Sequence, residues 1–68
     1  MSDTEQQREQ PAELKKTASH LVEIGRGACL RNDREGAQVY FGIAATLFEQ
    51  ANDTKSADQT RALGHSLK

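Results

Sequence analysis

The chain is poor in the residues that usually anchor a core. It has no tryptophan, one tyrosine and two phenylalanines among 68 residues. It has one cysteine, Cys29, which rules out an internal disulfide, and no Cys/His cluster spaced for zinc. It has one proline, Pro11, so little interrupts helix formation downstream of it. An excess of either charge is missing too: nine Lys and Arg stand against ten Asp and Glu, for a net charge of −1. A nucleic-acid binder normally carries a basic excess on one face, so no nucleic-acid partner is expected. No apolar run approaches the roughly 20 residues of a membrane span, so no membrane partner is expected. Met1–Gln10 is polar throughout and lacks the apolar stretch of a secretion signal. With a lone cysteine suited to a reducing compartment, this points to the cytoplasm.

Short length adds a constraint of its own. A single core in a chain this small rarely supplies more than roughly 3–5 kcal/mol unless it is stapled. Disulfides and metals being excluded, very good helix packing or a second copy of the chain is left. A homodimer is the expectation.

What is present is helical patterning. Residues 1–10 offer nothing to bury beyond Met1 and are expected to be a disordered tail. Residues 11–68 then form a single helical domain. Pro11 suits a first helical position, and Glu13 in the first turn suits the helix dipole. Leu14, Ala18, Leu21, Val22, Gly25, Ala28 and Cys29 follow at three- and four-residue steps, the spacing of one helix face. This predicts a helix over about 11–31. Asn32-Asp33-Arg34-Glu35 is a break in which Asn32 can cap the next helix and Glu35 can reach back to it. A second helix over 34–51 carries Ala37, Tyr40, Phe41, Ala44, Leu47, Phe48 and Ala51 as one stripe. Val39 and Ile43 lie outside that stripe and widen the apolar arc to roughly two-thirds of the circumference. Asn52-Asp53-Thr54 is the second break. A weaker third helix over 54–66 has only Ala57, Leu63 and Leu67 as an apolar edge, and Gly64 lowers its propensity by about 1 kcal/mol. The fold class expected is all-α: an antiparallel helical hairpin plus a short third helix, completed by dimerisation. Leu14, Leu21, Ile24, Tyr40, Phe41 and Phe48 are the candidate core.

Leu21, Ile24, Gly25 and Ala28, followed by Ala37, Phe41 and Ala44, resemble one tetratricopeptide helix pair, covering about a third of the chain. The family usually has tryptophan where Leu21 stands, an aromatic at Ala28 and proline at Glu49. The resemblance implies a helical hairpin and a protein-binding role, with Gly25, Ala37 and Ala44 small because two helices pass closely. It supplies no binding site.

Catalytic and metal chemistry find little support. His20 and Glu23 share a face of helix 1, but a metal site needs more ligands. Cys29 has Arg26 and Arg31 nearby in sequence, which could activate a thiol; it also falls on the apolar stripe, where free cysteines behave as small hydrophobes. Gly25-Arg26-Gly27 lacks the strand-to-helix setting of a phosphate loop. No enzyme activity, catalytic residue, metal or cofactor is expected. Lys15-Lys16, Arg31 and Arg34 would have to meet phosphate in a helix-turn-helix reading, but helix 2 is too apolar to read bases and helix 3 carries few basic residues, Lys55 and Arg61 among them. The surplus apolar surface instead suggests a small adaptor or inhibitor that docks helices onto a target protein, as short regulators do, including those carried by phages and plasmids. Leu30, Val39, Ile43 and Leu47 are its candidate protein-binding residues. A small dimeric nucleic-acid-binding regulator is the first alternative. A metal or cysteine enzyme using His20, Glu23 or Cys29 is the second.

Overall fold

Helical periodicity becomes helix wherever the sequence shows it. In a computed structural model, α1 spans Ser2–Leu30, α2 Arg34–Gln50 and α3 Thr54–His65. The structure describes the backbone over 2–67 and the side chains over 12–67. The backbone of α1 is helical from Ser2, ahead of the start expected at Pro11. The expected disordered tail over 1–10 lies outside the residues whose side chains are described.

The two turns are built alike, and the reason is local. α1 ends with Asn32 in the left-handed region at φ 65°, and α2 ends with Asn52 at φ 62°. Asparagine tolerates that conformation better than most residues. It lets the Asp33 N–H reach back to the Ala28 carbonyl at 2.8 Å and the Asn32 N–H to the Cys29 carbonyl at 3.0 Å. This is the paired reverse bonding that satisfies the last carbonyls of a helix. In the second turn the Asp53 N–H reaches the Phe48 carbonyl at 2.8 Å and the Asn52 N–H the Glu49 carbonyl at 2.9 Å. Each aspartate then caps the next helix. Asp33 accepts from the Gly36 N–H at 3.0 Å and Asp53 from the Ser56 N–H at 3.2 Å. The cap expected of Asn32 is therefore made by Asp33. Asn32 closes the helix before it, because one residue cannot both hold a positive φ at a helix end and serve as the extended cap of the next helix.

These turns fold the chain back on itself twice, and α2 packs against both α1 and α3. The buried arc of α2 is Ala37, Phe41, Ala44, Ala45 and Phe48. Two clusters fill the space. One joins Ala18 of α1, Ala44 and Phe48 of α2 and Ala57 of α3, with Leu21, Val22 and Leu47 packed against it. The other joins Ala28, Ala37 and Phe41, with Val22, Cys29 and Leu67 packed against it. Val22 belongs to both and ties them together.

Most of the buried apolar residues are alanines: Ala18, Ala28, Ala37, Ala44 and Ala57 are fully covered. Small side chains let helix backbones approach closely, which leaves little room between them for anything large. Of the candidate core, Phe41 and Phe48 are buried, whereas Leu14, Leu21, Ile24 and Tyr40 are half-buried. The one buried polar residue among those described, Thr60, donates its hydroxyl to the Ser56 carbonyl at 2.8 Å. Its burial therefore leaves no unpaired group.

Phe41 is the tightest point between helices at the glycines. A Cβ added at Gly25 of α1 would lie 2.8 Å from Phe41 Cε1, and one added at Gly64 of α3 would lie 3.4 Å from Phe41 Cβ. Gly64 of α3 thus faces Phe41 at ordinary van der Waals distance, and the approach close enough to demand a glycine is the one at Gly25.

Two substitutions test this arrangement. Phe41→Ala should lower unfolding free energy by about 3–5 kcal/mol in a denaturant titration. Gly25→Ala gains up to about 1 kcal/mol of helix propensity, yet should destabilise by about 1–3 kcal/mol because the Phe41 ring has to move. A Gly25→Ala chain more stable than wild type would show that α1 does not seat on that ring.

Candidate interaction surface

α2 has one face left over. Its inward arc is divided between α1 and α3, and α3 does not reach round to the opposite side. Val39 is 58% exposed and Ile43 47% exposed, one helical turn apart. The next residue along that line, Leu47, is half-buried, packs against the Ala18–Phe48 cluster and shares a shallow depression at the α1/α2 seam with Leu14, Thr17 and Gln50. The stripe therefore runs from open surface at Val39 into the hairpin seam at Leu47. Leu30, in the last turn of α1, is 88% exposed, the most open of the large apolar residues. It belongs to another helix, and no cluster joins it to Val39 and Ile43.

Polar residues surround the stripe without crowding it. Thr46 turns its hydroxyl back to the Gly42 carbonyl at 3.1 Å, which satisfies it locally and leaves the helix face free of competing donors. A Cβ at Gly42 would meet nothing within 4 Å, so no neighbour within the chain requires a glycine there.

The charged contacts lie on the other flanks. Arg61 of α3 forms an ion pair with Glu49 of α2, and Lys15 of α1 lies 4.0 Å from Asp53 in the second turn. The hydrogen bond from Arg61 holds the Glu49 carboxyl below its ordinary range, and the same contact raises Arg61. Asp53 is also lowered, chiefly by hydrogen bonds from the Ser56 side chain and backbone N–H. Lys15, Glu49 and Arg61 are open to solvent and Asp53 is half-buried, so screening keeps the contribution of each pair small. Sequence reasoning placed Arg61 only as a basic residue of α3 and did not find its pairing. Its partner lies on another helix at no regular spacing, so no local pattern announces it.

Two further depressions are open hollows. One lies between α1 and α3, bordered by Ser19, Glu23, Arg26, Gln59 and Leu63. The other sits over Phe41 between α2 and α3, where Gly42 and Gly64 leave a dent rimmed by Arg61 and His65. Sequence reasoning singled out neither, since both depend on where α3 docks.

The residues weighed for chemistry are not brought together. His20 and Glu23 are exposed on α1. Cys29 is half-buried against the Ala28–Phe41 cluster. Among the described residues no group of three or more His, Cys, Asp or Glu could hold a metal ion. Among them, too, no helix is long and apolar enough to cross a membrane.

What the fold and surface define is a three-helix all-α protein with an apolar stripe on its central helix. No family model matches the chain, and neither a curated protein nor a solved structure is found to be similar to it.

Replacing exposed residues that touch no cluster should leave the fold intact. At concentrations where the chain is monomeric, Val39→Glu/Ile43→Glu should melt within about 0.5 kcal/mol per substitution of wild type. Acid should act through the two lowered carboxylates. A carboxyl with a depressed folded pKa stabilises above its unfolded value and loses that contribution as pH falls through the folded one. Melting temperature should therefore drop below about pH 4. Glu49→Gln with Asp53→Asn should flatten that drop, and an unchanged acid limb would remove these two groups as its cause.

Proposed function

We propose that this protein is a small protein–protein interaction module, an adaptor or inhibitor that docks its helices onto a target protein through the Val39/Ile43 side of α2. The observation that carries this reading is the pair of large branched residues left 58% and 47% exposed on a helix whose other side is already shared between two neighbours. Exposed contiguous apolar surface is characteristic of interfaces. Leu47 extends the stripe into the seam, and Leu30 offers a separate apolar contact at the end of α1.

A homodimer is part of the same proposal. The core is built mainly from alanine, and burial of a second α2 against the first would add the large apolar contacts that the interior lacks. The tetratricopeptide-like reading of the hairpin rests on the spacing of Leu21, Ile24, Gly25, Ala28, Ala37, Phe41 and Ala44 in the sequence. In this proposal the protein works in the cytoplasm, without catalysis, metal or cofactor. The lone half-buried thiol of Cys29 suits that compartment.

Sedimentation velocity and capture of the target from host extract, each with wild type and with Val39→Glu/Ile43→Glu, test the proposal. Circular dichroism first establishes that the variant is folded. Loss of a dimer boundary assigns the stripe to self-association, and loss of capture with unchanged sedimentation assigns it to the target. If association state and capture both survive the two glutamates, the stripe is not the binding surface.

A further inference from the structure

We draw no further inference here: the strongest candidate, the dent over the Phe41 ring between Gly42 and Gly64 with Arg61 and His65 on its rim, is an unpartnered apolar hollow, and nothing in the structure shows what covers it.

Discussion

The Phe41 ring carries the close contact that seats α1 on α2, and the rest of the packing is built around that pair. It is one of two buried aromatic residues, and glycines approach it from α1 and from α3. Dispersion contacts of this kind are weak singly and large together, and they are lost quickly with distance. Gly25 is what makes the distance from α1 short. Around this point the alanines of both clusters extend the same close approach along the helices. The consequence is a thin interior in which leucine and isoleucine have no place at the centre and line the edges instead. Half-burial of Leu14, Leu21, Ile24 and Tyr40 follows from close packing rather than from any deficiency in it.

The turns make that packing possible by delivering each helix at a set angle. Each uses asparagine to end one helix and aspartate to begin the next, with matching hydrogen bonds twenty residues apart. In each turn carbonyls left over at the end of one helix accept from the asparagine and aspartate N–H groups, and the aspartate side chain accepts from one of the first N–H groups of the next helix. Because both turns take the same form, α2 receives a neighbour before it and one after it. Its inward arc is consumed by those two contacts, and its outward arc is left to solvent.

Much of this could be read from the chain itself. Three- and four-residue spacing placed the helices, and the two Asn-Asp pairs placed the turns within a residue or so of where they occur. Phe41 and Phe48 stood out as the only phenylalanines, and they are buried. What pattern could not supply was the division of labour within the turns, since Asn and Asp both serve as caps and only the backbone angle separates them. Nor could it say that alanines would take the centre, because the separation between helices is a property of pairs of faces. The surface was legible in part. Val39 and Ile43 were visible as residues outside the main stripe, but their exposure depended on which flank α3 would take. Gly64 read as a weak point in α3, and it lies across from Phe41 at a distance that would accept a side-chain carbon.

A frame made from small residues divides the chain into positions of very different tolerance. Ala18, Ala28, Ala37, Ala44 and Ala57 are fully covered, and a larger residue in a well-packed interior costs stability by overpacking. At Asn32 and Asn52 the alphabet is nearly restricted to asparagine and glycine. The outward arc of α2 is under no such restriction, since Val39, Ile43 and Thr46 are exposed and Gly42 has open space where a side chain would stand. Those positions could be rewritten freely while the scaffold stayed the same. The architecture thus separates what holds the molecule together from what it presents. A lineage, or a designer, could retarget this helix without renegotiating the fold.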